Sequence, residues 1–301
     1  MRNETSKALI NLFYDSPYVF LTGDLGFMAL EQLQTVLGKH FINAGVAEQN
    51  MVSVAAGIAS IGLQAWVYSI APFVYARPFE QIRNDVCLHN FDVKLIGNGG
   101  GYGYGSMGSS HHAIEDYGVL LTLQNMRAYI PAFSEDVEVA VRRMSTRIGP
   151  AYLRLGLSEK PVDFPLNPYA PWRRLLAGEQ GSIVAVGPIA GGFISRLSAL
   201  DISSRPSLWV VSELPISADS LPEDFIHELR QDMPLIVVEE HVSQGGAGHM
   251  LAAAILSLGV SVQEFRHHFA LGYPSGLYGS QRFHRKECGL DYESVLGYLG
   301  I

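Results

Sequence analysis

Five stretches of the chain hold residues whose types and spacing could do chemistry. The first is NAGVAEQNM over 43–51, where Glu48 enters the first turn of an apolar helix. A carboxylate there complements the positive end of the helix dipole. From Val46 to Ala59 the segment is otherwise almost entirely apolar or small, with Glu48 its only charge, so burial of this helix is expected. A buried carboxylate takes either a partner or a proton, which makes Glu48 a candidate proton-transfer group. The second stretch is the glycine-rich run 97–108, followed by His111, His112, Glu115 and Asp116. Gly103, Gly105 and Gly108 spell G-x-G-x-x-G, but six residues separate them from the end of the preceding strand. A dinucleotide-binding turn needs its first glycine at that end. The glycines are expected instead to let a loop approach a ligand closely, with the histidine pair at its far end. In the third, Phe73, Tyr75 and Phe79 form an aromatic cluster leading into a helix. Core packing is the default for such a cluster, and a flat cofactor ring would use the same face. The fourth is Arg154 inside the apolar run 149–156, suited to an anion clamp or a buried pair. The fifth is 239–248, where Glu239, Glu240 and His241 precede Gly245, Gly246 and Gly248. Glycines opening a helix could receive an anion, though a turn packed against the sheet is the expected use.

These residues need elements to hold them. Strands are expected at 18–22, 64–69, 93–96, 127–130, 182–186, 207–211, 235–238 and 260–263. Helices are expected at 6–14, 47–61, 78–89, 136–146 and 248–258. Such alternation argues for parallel sheets covered by helices on both faces. From 156 to 180 no hydrophobic period is kept, and Pro161, Pro165, Pro168 and Pro171 crowd together, which marks a linker. The expected fold is α/β: two three-layer domains with mostly parallel sheets, over 1–155 and 181–301.

Composition narrows the function classes. The 301 residues are 48% hydrophobic and 17% charged, enough for large cores and against disorder. A net charge of −8 is wrong for a protein that displaces counterions from nucleic-acid phosphates. Cys87 and Cys288 cannot build a disulfide framework. His284 and Cys288 would supply at most half a zinc set, so no metal ligands are expected. No apolar run follows MRNETSK, and the apolar stretch 250–260 is far short of the ~20 residues a membrane span needs. A cytoplasmic protein is expected.

Taken in order, NAGVAEQNM, then Phe73 with RPFEQIR over 77–83, then GSSHHAIED over 108–116, then PAYLR over 150–154 resemble transketolases and 1-deoxyxylulose-5-phosphate synthases. The 239–248 loop fits their C-terminal domain. The resemblance spans nearly the whole chain but only two of the family's three domains, the pyrimidine-binding and C-terminal ones. The pyrophosphate domain's Gly-Asp-Gly signature has no match here, since Gly23 and Asp24 are followed by Leu25. The resemblance therefore implies the second subunit of a split transketolase, catalysing ketol transfer with thiamine diphosphate. It implies a partner subunit that binds Mg2+ and the pyrophosphate, in an α2β2 assembly with a sugar or sugar-phosphate substrate. It also assigns roles. Glu48 would meet N1′ of the aminopyrimidine, Phe73 would stack on that ring, and Ile70 and Tyr75 would lie near. Asp24 would face the cofactor across the subunit interface. His111 would contact the donor, and Arg154 and Arg2 would hold the sugar phosphate. Three positions depart from the pattern. Met107 stands where the family places a hydroxyl-reading Asp, Gly99 or Gly100 where it places a phosphate-facing His, and Met28 where it places a phosphate-contacting Ser. Cofactor activation thus looks kept and sugar recognition altered.

Two other readings compete. The β subunit of a 2-oxoacid dehydrogenase E1 component shares the two domains and the glutamate, but its pattern between residues 85 and 110 is not found here. A non-catalytic partner subunit would have no use for Glu48 and Phe73.

Overall fold

The computed structural model describes residues 1–157 and 159–300. Its strands are β1 (Val19–Thr22), β2 (Phe41–Asn43), β3 (Ala65–Ile70), β4 (Val93–Asn98), β5 (Arg127–Tyr129) and β6 (Ala151–Leu155) in the first half. The second half adds β7 (Trp172–Leu176), β8 (Ser182–Val186), β9 (Ser207–Val211), β10 (Glu213–Leu214), β11 (Pro234–Val238) and β12 (Glu264–His268). They form a seven-stranded sheet, ordered β10-β5-β6-β4-β3-β1-β2, and a five-stranded sheet, ordered β12-β11-β8-β9-β7. Both are parallel except at one edge, where β10 runs antiparallel to β5 and β7 to β9. This is the expected α/β class.

Alternation along the strands builds the layers. Phe20, Trp66, Tyr68, Ile96 and Leu153 face the helices Arg2–Asp15, Glu31–Leu37 and Val137–Thr146. Leu21, Val67, Leu95 and Tyr152 face the other way, toward the helix Glu48–Ser60. A period of two thus gives each sheet two apolar faces. The core containing Leu21 and Val67 continues into the second half through Trp172, Val184, Trp209 and Leu251. The two halves share one core.

Four expectations change. The strand expected at 260–263 forms at Glu264–His268, because Gly259 has φ +64° and the chain is still turning there. The linker expected at 156–180 contains β7, whose short apolar run is masked by Arg173 and Arg174; Arg173 is itself buried against Asp136 at 2.7 Å. The boundary between halves is also crossed by β10, which leaves the second half to extend the first sheet. The Glu48 helix is not buried all round: Gln49, Asn50, Ser53, Gly57 and Ser60 are exposed, while Met51, Val52, Ala55 and Ala56 face the core. No described helix is long and apolar enough to cross a membrane.

Candidate functional site

In an open parallel sheet, loops converge at the carboxyl ends of the strands, where direction reverses. Here β1 has β3 on one side and β2 on the other, and the loops leaving these three strands carry the candidates. Asp24 follows β1 and is exposed. Glu48 follows β2, and the short helix Ala71–Ala76, which carries Phe73, follows β3. Pro72 near its N-terminus supplies a preset φ where no amide donor is needed. Ile70, the residue entering that helix, is half-buried.

Glu48 lies 5% exposed. Its Oε1 accepts a hydrogen bond of 2.6 Å from Nη1 of Arg77. That guanidinium sits 3.7 Å above the centroid of the Phe73 ring. Phe73 and Arg77 are four residues apart, so one helical turn stacks them on a common side. His111 then meets the Phe73 ring edge-on, 5.3 Å between centroids. Its Nδ1 lies 3.0 Å from the Ser110 hydroxyl. The structure thus brings Glu48, Phe73 and His111 to one place. Arg77 joins them there, although the sequence offered it only as part of a motif, with no role of its own. Its four-residue spacing from Phe73 was the available signal.

Other candidates go elsewhere. His112 is buried, lying 2.8 Å from the Gly105 carbonyl and 2.9 Å from the Tyr273 hydroxyl. Burial lowers its pKa, and both ring nitrogens have partners within the fold, so His112 is a structural histidine, whereas His111 meets Phe73. Tyr75 sits two positions past Phe73, on another side of the helix, with its hydroxyl 3.3 Å from Glu115. Burial, with the Asp116 and Glu115 charges behind it, raises its pKa. It braces the 111–116 loop, and a place beside the ring at Phe73 is not what its contacts give. Arg2 lines a cavity of about 390 Å3 with Asn98, Gly99, Gly103 and Tyr104. The Tyr104 ring lines that cavity and lies 5.8 Å from His111. Met107 is exposed on the same loop.

Arg154 is a correction. Its Nε donates to Asp116 at 2.8 Å, and Nη2 donates to the Ala113 and Glu240 carbonyls. Arg154 and Asp116 are both buried. Of the two readings its sequence allowed, the structure shows the buried pair, which takes up Nε and Nη2. The sequence hid this because Asp116 is 38 residues away. The glycine run is a second correction. A Cβ on Gly100 would lie 2.4 Å from Arg154 Nε, one on Gly101 2.8 Å from Glu240, and one on Gly99 2.2 Å from Tyr104. Gly99, Gly100 and Gly101 make room for the chain's own side chains. The 239–248 turn is likewise closed. Glu239 accepts from the Ala247 and Gly248 amides at 2.8 and 2.9 Å, and from the Tyr117 hydroxyl, with His267 at 2.6 Å. Burial pushes the Glu239 pKa up, but the bond from His267 and the nearby histidine charges leave it lowered overall. The helix N-terminus holds an anion from its own chain. No group of three or more His, Cys, Asp or Glu suited to a metal occurs among the described residues.

A doubly wound sheet with a buried carboxylate and an aromatic ring at its strand ends is an α/β architecture whose ligand crevice lies at those ends. Comparison with known proteins agrees. Residues 1–160 match the family described as transketolase, pyrimidine binding domain. The chain is 30% identical to an apulose-4-phosphate transketolase subunit from Actinobacillus succinogenes over 259 residues, 85% of this chain and 82% of that protein. It is 27% identical to a putative transketolase C-terminal section of Methanocaldococcus jannaschii, over 85% of this chain and 81% of that one. A solved split-gene transketolase, described as an inactive β4 tetramer, superimposes with TM-score 0.83 at 25% identity, covering 99% of this chain and 96% of that chain. The chain belongs to the transketolase family, and its counterparts there are the C-terminal subunits of split enzymes.

Proposed function

We propose that this chain is the pyrimidine-binding subunit of a two-subunit, thiamine-diphosphate-dependent transketolase. The observation that carries this is the buried Glu48 carboxylate and the Phe73 ring brought together under one guanidinium, that of Arg77. The fit to an aminopyrimidine can be read from what already lies there: a flat, nitrogen-bearing cation stacks on Phe73 and donates to Glu48. A protonated aminopyrimidine would offer the same two features, a π face and a ring N–H that donates to a carboxylate.

When bound, thiamine diphosphate supplies the carbon nucleophile that carries a two-carbon ketol unit. This chain's part is to make that carbon available. Phe73 holds the pyrimidine plane by stacking. Glu48 shares a proton with N1′, and burial keeps that proton from exchanging with water instead. Ile70 and Asp24 border the same crevice from the ends of β3 and β1. His111, at the edge of Phe73, would donate a hydrogen bond to the carbonyl or hydroxyl of the donor. Arg2, which lines the cavity beside Tyr104, would be the cation for an anionic substrate end. This reading assigns the pyrophosphate and its Mg2+ to the partner subunit. A partner is supported by the names of the split relatives, and inactivity alone by the solved tetramer.

The test is hydrogen–deuterium exchange at C2 of bound thiamine diphosphate in the reconstituted complex, without substrate. Glu48→Ala and Glu48→Gln should slow exchange by orders of magnitude with little change in melting temperature, because each removes a desolvated charge along with its hydrogen bond. Exchange at the wild-type rate would leave Glu48 as a helix-end charge and end this reading.

A further inference from the structure

The guanidinium of Arg77 makes two contacts at once. It donates 2.6 Å to the buried Glu48 and lies 3.7 Å over Phe73. Carboxylate and ring are the two surfaces that an aminopyrimidine has to touch. A guanidinium is planar, with its charge spread over N–H groups in the plane, and stacks on aromatic faces. In shape and hydrogen bonding it imitates an aminopyrimidine cation. The two cannot occupy the same space, since a stacking distance of 3.7 Å leaves no room for a second plane between Arg77 and Phe73.

We propose that Arg77 is a displaceable placeholder for the cofactor's pyrimidine. This rests on the reading of Glu48 and Phe73 as the pyrimidine subsite. Before loading, Arg77 gives Glu48 a partner, because a carboxylate this buried is costly alone, and it covers Phe73. On loading, the pyrimidine takes both contacts and the guanidinium swings out. The fold allows this. Arg77 follows the end of the helix Ala71–Ala76, and its side chain is 43% exposed against 6% for Glu48. Rotation of a long, half-exposed side chain moves it to water without moving the backbone. Arg77 is thus a positioning residue whose ion pair opposes the cofactor: its release is part of every binding event, and it sets affinity.

The experiment measures thiamine binding to the full chain alone by saturation-transfer NMR, with the melting temperature of each variant alongside. Arg77→Met keeps an unbranched apolar stem and removes the ion pair. It should bind thiamine about tenfold more tightly than wild type, while Arg77→Lys, which keeps charge without the plane, should fall between. A purely structural Arg77 would give lower melting temperature and no gain in affinity. Binding by Arg77→Met that equals or trails wild type, or is absent, overturns the placeholder. Two double variants separate this from failure of the underlying reading. Arg77→Met combined with Glu48→Ala or Phe73→Ala should lose the gained affinity. If Arg77→Met binds tightly and both double variants bind equally well, the subsite itself is misassigned. If affinity depends on Glu48 and Phe73 but not on Arg77, the subsite stands and the placeholder falls. A structure of the loaded complex with Arg77 still within hydrogen-bond distance of Glu48 would also overturn it.

Discussion

Arg154 and Asp116 meet at 2.8 Å with side-chain exposures of 5% and 0%. Tyr152 also donates to the same carboxylate oxygen at 2.7 Å. Removing one member leaves the other charge buried and unpaired, which typically costs about 3–5 kcal/mol. Arg154→Ala and Asp116→Asn should each lower unfolding free energy by that order in urea titrations. The pair Arg154→Met with Asp116→Leu should recover much of the loss, since two apolar groups carry no desolvation penalty. Unchanged stability in Arg154→Ala would free the arginine for substrate and reinstate the clamp. Histidines add a pH dependence. Burial lowers the pKa of His112, His268 and His284. Above their ordinary value of about 6.5, folded and unfolded chains are both neutral there. Below it the unfolded chain binds protons first, so stability should fall as pH drops from about 7 toward 5. His112→Gln should flatten that slope in urea midpoints measured across the window; an equally steep slope would show that His112 does not contribute.

At the scale of elements, two glycines in different settings make a matched pair. Gly100 carries a Cβ only at 2.4 Å from Arg154, inside a loop held by amides of Gly99 and Gly100 donating to the Leu155 carbonyl. Gly57 lies in the Glu48 helix with nothing within 4 Å of its Cβ position. Gly100→Ala should lower the melting temperature and disturb Arg154, whereas Gly57→Ala should stabilise by about 0.5–1 kcal/mol through helix propensity and unfolded-state entropy. Thermal unfolding of both variants checks this, and a neutral Gly100→Ala would mean that the loop yields. These elements were legible to different degrees. Strands such as β8 and β9, buried on both faces, read as continuous apolar runs, and the sequence placed them to the residue. β2, at three residues, and β10, at two, are too short to carry a period, and β10 exists only because β5 offers it an edge. β7 was hidden by two arginines whose charges are met by Asp136 and Glu228 from distant parts of the chain. The site shows the same division. Glu48, Phe73 and His111 could be singled out by residue type and neighbourhood, and the fold brings them together. The roles of Arg154 and His112 could not be read this way, because what decides them is a partner brought in by the fold.

At the scale of the whole molecule, the residues around Glu48 leave apolar surface uncovered. Phe27 is 81% exposed, Met28 72% and Val46 76%. They lie on the loops after β1 and β2, which touch: a Cβ on Gly23 would stand 3.1 Å from the Gly45 carbonyl. Met28 holds φ +59°, a conformation a non-glycine residue adopts at some cost, and it presents its side chain to solvent. A cluster of large apolar side chains beside a polar site is the signature of a surface meant to be covered. If the pyrophosphate-binding subunit covers it, the purified chain should show no ketol transfer, and activity should appear on mixing. Phe27→Asp and Val46→Asp should then block reconstitution, since each would bury a charge without a partner, while leaving the chain's own melting temperature near wild type because neither side chain packs in its core. Co-sedimentation of the two subunits and turnover of the mixture would be measured together. Ketol transfer by the chain with no partner present, or full reconstitution by both Asp variants, would show that this rim is not where the second subunit binds and that the site is complete without it.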